Sequence, residues 1–466
     1  MTAGARPGND YDVIIVGAGT AGIFAALELA DSGLRVLLLE KGSDLEDRTC
    51  PLRKGAAKCL SCRPCRMVSG FGGAGAYSDG KLTLSTDVGG RLGTLLDPVV
   101  LRELIDYVDS VYVRFGAPDR VFGVGPAIDA LVTRATLAGL RLVPVRLRHL
   151  GCEYCGRVLD AMRSHLRDRI DIRTRTNVVD VDCDGGGVKG VRTDSGEVLT
   201  CRFLICAPGR EGAEWLAGIA GRHGLVMEAN PVDVGVRVEL PAPVMAELSR
   251  VLYEAKLEYY SSTFDDRVRT FCMCPNGEVV LESTGGADPV VTVNGVGYAE
   301  RMTPNTNFAV LVSTSFTEPF HEPIAYGKYL ARLANLLSGG VLVQRLGDLM
   351  AGRRSTAERV SRSLVRPTLA AATPGDLSFV LPYRYLTDIV EMLKALDVLA
   401  PGVASAHTLL YGVEVKFYSG RLELGPCLET GVRNMFAVGD GAGVSRGLVQ
   451  ASVSGVVAAR EVRARA

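Results

Sequence analysis

The sequence has no excess of charge: 52 lysines and arginines stand against 52 aspartates and glutamates. A chain without a basic field lacks the electrostatic means to hold a phosphate backbone or an anionic bilayer, so neither nucleic acid nor a membrane is an expected partner. Long hydrophobic runs are missing as well. The longest, Val13 to Ala30, carries Thr20 and Glu28 and is broken by Gly17, Gly19 and Gly22, which argues against a transmembrane span. Met1 to Asn9 has no apolar core, so it does not read as a secretory signal, and the expected location is the cytoplasm. Histidine is scarce, at five residues, and neither an H-E-x-x-H helix nor a Ser-His-Asp arrangement is visible.

Two residue types are abundant instead, 54 Gly and 12 Cys, within a globular composition of 47% hydrophobic and 22% charged residues. A length of 466 residues exceeds what one core usually supports and predicts two or three lobes with room for a buried ligand. Twelve cysteines in a large chain fit a reducing compartment, where thiols stay reduced, bind metal or do redox work.

The first forty residues predict one βαβ unit. Tyr11–Val16 is too apolar to alternate, as expected of a parallel strand buried on both faces. Gly17-Ala18-Gly19-Thr20-Ala21-Gly22 follows, then a helix that Gly33 stops, then a strand ending at Glu40. A GxGxxG in this setting is a dinucleotide fingerprint. Gly17 permits the tight turn, Gly19 the approach of a pyrophosphate, and Gly22 close packing of helix on strand. The helix N-terminus offers unpaired N–H groups to phosphate, and Glu40, with Lys41 beside it, is placed for the adenosine ribose.

Four further segments extend the pattern. Short strands at Asn177–Val181, Val188–Arg192, Glu197–Leu199 and Arg202–Cys206 read as a β-meander. A Cys/Gly-rich insertion over 41–90 holds Cys50, Cys59, Cys62 and Cys65 and then seven glycines between Gly70 and Gly90. Residues from about 230 to 400 mix strands with helices and form the best candidate for a second lobe. The C-terminal sixty return to strand, Gly439-Asp440-Gly441 and a helix from Gly447.

Asn434 to Gly443 resembles the second FAD fingerprint of two-lobed flavoproteins of the glutathione-reductase type. That resemblance implies that Asp440 binds near the ribityl chain and pyrophosphate. It also implies that the backbone at Gly447, Leu448 and Val449 faces the flavin pyrimidine edge, where a positive helix end favours negative charge. Phe203 to Gly209 resembles a third segment of the same flavoproteins, with Ala207 and Gly209 flanking Pro208, and the meander from Val178 would lie over the adenine. Aromatic hydroxylases of related fold carry an Asp-Gly pair at this point, which Ala207-Pro208-Gly209 lacks.

Ser69 to Lys81, Val234–Glu239, Phe271–Gly277 and Val415–Ser419 together resemble a broad bacterial family of uncharacterised FAD-dependent dehydrogenases, from Tyr11 to the C-terminal helix. The resemblance implies an α/β fold with an FAD-binding Rossmann-type domain built from both chain ends, 9–228 and 401–466. A mixed α+β substrate domain, 229–400, is inserted between them. Glycines over Gly70–Gly75 let Gly73, Ala74 and Gly75 close on the cofactor, and Ser78, Asp79 and Lys81 follow toward flavin or substrate.

The four clustered cysteines make C-x8-C-x2-C-x2-C, a spacing that suits zinc or an iron–sulfur cluster, a redox pair, or plain packing. In the second lobe Arg237, at the end of a β run, suits either a substrate carboxylate or a surface ion pair. Asn294, Asn307, His407, Lys416 and Tyr418 are further polar candidates, His407 as an acid or base. No second strand-GxGxxG-helix-acid unit is visible in the sequence, so either NAD(P)H visits the flavin as a transient reductant, or the substrate and another acceptor complete the cycle. The expected activity is FAD-dependent hydride exchange between a small organic substrate and flavin N5. The alternatives are a flavin monooxygenase using NAD(P)H and O2, or a non-enzymatic flavin and cysteine redox protein.

Overall fold

The computed structural model of the chain describes residues 9–51, 60, 62–228, 232–283, 289–314, 316, 320, 322–417 and 420–466. The chain divides into two compact units. One comprises Met1–Asp119, Tyr154–Asn230 and Ser419–Ala466; the other comprises Arg120–Glu153 and Pro231–Tyr418.

The first unit is built on a seven-stranded sheet. Its order runs Asp171–Arg173, Val36–Leu39, Tyr11–Val16, Val198–Cys206, Gly187–Thr193, Val178–Asp184, with Met435–Ala437 also on Val198–Cys206. Tyr11–Val16 pairs in parallel with both Val36–Leu39 and the second half of Val198–Cys206. Val13, Ile14 and Ile15 are fully buried, so the continuous apolar run does what a two-faced burial requires. The meander carries three strands where four short runs were read. Val198–Cys206 is unbroken because its first half pairs antiparallel with Gly187–Thr193 while its second half pairs in parallel with Tyr11–Val16 and Met435–Ala437. The last helix, Leu448–Arg465, packs on the helix Thr20–Leu29 so closely that a Cβ on Gly455 would meet Ala21 O at 2.0 Å.

The second unit contains an eight-stranded sheet ordered Thr373–Pro374, Leu342–Arg345, Leu409–Lys416, Val232–Pro241, Asn305–Thr314, Arg267–Cys274, Lys256–Tyr260, Arg141–Val143. Two stretches expected elsewhere belong to it. Arg141–Val143 pairs with Lys256–Tyr260, and Leu409–Lys416 pairs with Val232–Pro241 along its length, which draws 120–153 and 401–418 into this unit. Alternation sorts the central strands. Val232, Val234, Val236, Val238 and Leu240, with Phe308, Val310 and Val312, join one apolar core with Met245, Leu330, Ile389, Met392, Leu393 and Leu396 from the covering helices. Each such side chain contributes about 1.5–3 kcal/mol relative to exposure. The opposite face of the same strands carries Asp233, Arg237, Glu239, Asn305 and Asn307, all buried.

Candidate functional site

In the first unit, three glycine-rich segments far apart in sequence converge. Gly17 has φ +103°, and a Cβ there would lie 2.2 Å from Ala207 O; one on Gly22 would lie 1.9 Å from Gly17 O. Neither position admits a larger residue. The Gly70–Gly75 segment closes on this turn: Gly72 N–H donates to Ala18 O at 2.8 Å, and a Cβ on Gly73 would stand 3.0 Å from Gly19 Cα. From the C-terminal end, a Cβ on Gly439 would be 3.1 Å from the Ala21 methyl, and one on Gly75 3.2 Å from the Leu448 side chain and 3.4 Å from Thr20. Gly19 and Gly209 have nothing within 4 Å of the corresponding point. The result is a cradle lined by backbone.

Two helix N-termini open on these segments. Neither Gly19, before the helix at Thr20, nor Gly447, before the helix at Leu448, has a side-chain cap, and neither first turn contains an acid. Their first N–H groups are ready donors for an anionic group. Ala21 and Val449 are buried within these first turns, whereas Ala74 is exposed and Gly73, Gly75 and Ser78 are half-buried. Val178 is buried at the start of its strand. Asp440 accepts a hydrogen bond from Ser445 Oγ at 2.6 Å, and Gly439 N–H donates to Ser454 Oγ at 2.9 Å, so the turn after the last strand is tied to the final helix.

Glu40 is buried, and its carboxylate accepts from Ala18 N–H (2.9 Å), Gly42 N–H (2.8 Å) and Gly70 N–H (2.9 Å). The residue read as a ribose ligand also ties the fingerprint turn to the glycine-rich insertion. A carboxylate has about four acceptor sites, so three N–H bonds leave capacity for a hydroxyl. Lys41 pairs with Glu211. Burial draws the Lys41 ammonium below the ordinary lysine range, against the pull of Glu40 and Cys65. Lys81 pairs with Asp79 at 2.8 Å, its side chain largely buried.

Arg48 went unread in the sequence, where it is one arginine among many in an irregular stretch. It is buried and donates to Phe71 O (2.7 Å), Gly73 O (2.8 Å) and Met67 O (2.8 Å), with its guanidinium 5.0 Å from the Tyr77 ring centre. Five fixed donors let one side chain satisfy the carbonyls of a segment that has no ladder of its own. Gln450 is a second such residue. Buried in the first turn of the last helix, it donates to Val88 O at 3.2 Å and holds Gly89–Gly90 against Val444–Ser445.

Of the cysteine cluster, Cys59 lies outside the described residues. Cys50, Cys62 and Cys65 are reduced and half-buried, and among the described residues they do not bring three sulfurs within ligand distance of one another.

In the second unit, four of the polar candidates meet on the polar sheet face. Arg237 is neither at a strand end nor at the surface: the valine alternation carries its strand on to Pro241, and the guanidinium is fully buried. It meets Glu414 at 2.9 Å, Cys272 O at 2.7 Å and Asn294 Oδ1 at 3.0 Å. Asn307 lies in the same cluster, since a Cβ on Gly295 would touch both its Oδ1 and the Arg237 guanidinium. Lys416 lies 3.1 Å from Glu414 and 3.4 Å from Glu282. Burial pulls its ammonium down, but Glu282 and Glu414 outweigh this and hold it above the ordinary lysine range. Glu239 is buried on the same face and accepts from Tyr411 Oη (2.5 Å), Thr368 Oγ1 (2.6 Å) and Asn305 Nδ2 (3.0 Å). His407 stands apart: its Nδ1 faces Leu364 N–H at 3.4 Å and Ser363 Oγ at 3.5 Å, and its carbonyl accepts from Ser363 Oγ at 3.0 Å. Tyr418 lies outside the described residues.

Comparison with known proteins decides the nucleotide. Residues 12–51 match the family model described as "FAD binding domain", and residues 231–417 match "FAD-dependent protein, C-terminal domain-like". The cofactor is FAD. A protein of Clostridium beijerinckii described as uncharacterised is 27% identical over 473 residues, covering 96% of this chain and 80% of that one. Among solved structures, glycine oxidase from Geobacillus kaustophilus is 14% identical with a TM-score of 0.42, over 98% of this chain and 95% of that one. A geranylgeranyl bacteriochlorophyll reductase-like protein from Thermoplasma acidophilum is 12% identical with a TM-score of 0.40, over 97% and 78%. The fold is α/β with an FAD-binding Rossmann-type unit, and among the described residues no helix is long and apolar enough to cross a membrane.

Proposed function

We propose that the protein is an FAD-dependent oxidoreductase of the two-lobed, glutathione-reductase type, acting as a dehydrogenase or C=C reductase on a small organic substrate in the cytoplasm. The observation that carries this reading is the convergence of Gly17–Gly22, Gly70–Gly75 and Gly439–Leu448 on one backbone-lined cradle served by two uncapped helix N-termini. FAD, when bound, supplies hydride exchange at N5. The chain's share is placement and charge. The N–H groups at Thr20–Gly22 suit the pyrophosphate, Glu40 the ribose, and those at Leu448–Val449 the side of the flavin where negative charge gathers.

Among the side chains considered for substrate chemistry, Arg237 and His407 are engaged in holding the second unit together, and Lys416 is a buried cation beside a half-buried thiol. NAD(P)H as a visiting reductant fits a chain with a single dinucleotide fingerprint.

An absorption spectrum tests the core of this reading. The purified protein should show two flavin bands, released as FAD on denaturation. A folded, colourless protein that takes up no added FAD would sink it. Anaerobic mixing with NADH or NADPH then shows which reductant bleaches the flavin, and elemental analysis of the same sample shows whether Cys50, Cys59, Cys62 and Cys65 carry zinc or iron.

A further inference from the structure

The strand Arg267–Cys274 ends in Phe271-Cys272-Met273-Cys274, a C-x-C that neither the cofactor cradle nor the buried ion pairs call for. On an ordinary strand, alternate residues stand about 6.6 Å apart along the chain. Here the register against Asn305–Thr314 slips: Phe271 faces Ala309 and Cys274 faces Asn307, so three steps on one strand match two on the other. That is a β-bulge, and within it Cys272 has a positive φ of +47°. Met273 points into the apolar core. The two reduced sulfurs lie within 4.8 Å of each other, and the Cys274 thiol donates to Cys272 O at 3.4 Å.

The two thiols differ in their surroundings. Cys272 is half-buried and Cys274 fully buried. The Lys416 ammonium, paired with Glu282 and Glu414, lies 5.7 Å from the Phe271 ring centre, and Arg237 bonds the Cys272 carbonyl. The thiolate is the nucleophilic form of a cysteine, and the less buried of the two is the one a solute reaches first.

We propose that Cys272 and Cys274 form a redox dithiol, in which a peroxide oxidises Cys272 and Cys274 then closes the disulfide. The Cys272 thiolate attacks one peroxide oxygen, the O–O bond breaks, and the released hydroxide takes a proton to leave as water. Cys272 is then a sulfenic acid. The Cys274 sulfur attacks the Cys272 sulfur, the S–O bond breaks, and the second water leaves with the Cys274 proton. One dithiol and one hydrogen peroxide give one disulfide and two waters. The bulge supplies the approach of the sulfurs, and the difference in burial the order of attack.

The test uses the full-length protein as purified, whatever its flavin content, so its failure is separate from any failure of the FAD reading. Reduced protein is treated with hydrogen peroxide, denatured, alkylated and digested with trypsin. The peptide Thr270–Arg301 contains both cysteines. It should appear unalkylated and about 2 Da lighter than its reduced form. Cys274→Ser should trap a sulfenic acid at Cys272, read as a dimedone adduct. The proposal is overturned if the wild-type peptide stays doubly alkylated under peroxide, or if the adduct forms on Cys274 in Cys272→Ser and not on Cys272 in Cys274→Ser.

Discussion

The two units solve the problem of buried polarity in opposite ways. The first brings three glycine-rich segments together beside two helix N-termini that have no side-chain cap. The second buries whole ion pairs: Arg237 and Lys416 against Glu414 and Glu282, with Glu239 held by neutral donors. A site made of backbone is tolerant of charge changes and intolerant of added carbon where its segments touch, as at Gly17 and Gly22. A site made of paired side chains is the reverse, because removing one partner strands the other in a medium that cannot solvate it.

Four substitutions would break or sharpen that contrast. The largest effect is expected at Glu414→Ala, which leaves Arg237 buried without its carboxylate; denaturant unfolding should show a loss of about 3–5 kcal/mol. Arg48→Met tests whether a side chain also governs the backbone-made unit. It leaves the carbonyls of Met67, Phe71 and Gly73 without their donor, and a loss of about 1.5–3 kcal/mol, with faster proteolysis in this stretch, is expected. Gly17→Ala adds one methyl where Ala207 O already stands and where φ is positive. Overpacking of this kind costs about 1–3 kcal/mol, and the purified variant should retain less FAD than the wild type.

The smallest effect is a pH dependence in the second unit. Burial, with Asp266 beside it, pushes the Asp388 carboxyl up to about 6 from an ordinary 3.8, against the pull of Ser261 and Arg384. The folded state therefore binds this proton more tightly than the unfolded chain. Its contribution to stability is full below the unfolded value and is lost as pH rises through 6. Asp388→Asn keeps the neutral form, so the variant should outlast the wild type in denaturant at about pH 7.5 and match it near pH 4. An advantage that grew toward low pH would contradict the assignment.

The fingerprint glycines, the buried first strand and Glu40 were legible because each is a local requirement: a positive φ, a two-sided burial, an acid at a strand end. The unbroken strand Val198–Cys206 was not, since only its two different partners hold its halves in line. Arg48 and Gln450 were illegible for a related reason. Their work is to satisfy carbonyls distant in sequence, and nothing in their own neighbourhoods marks them. Arg237 was noticed but misplaced, because whether a strand arginine faces water or interior depends on what covers that face.

The sequence by itself determined the βαβ unit, the glycines that a dinucleotide needs and the alternation that gives the second unit one apolar face. These follow from backbone sterics and from a period of two, both properties of a few consecutive residues. Only the tertiary structure decided that three glycine segments share one cradle, that 120–153 and 401–418 join the second unit, and that Arg237, Asn294, Asn307 and Lys416 form one cluster. Those outcomes depend on which strands pair across hundreds of residues. Pairing is settled by the burial of whole faces, and no short stretch of sequence carries it.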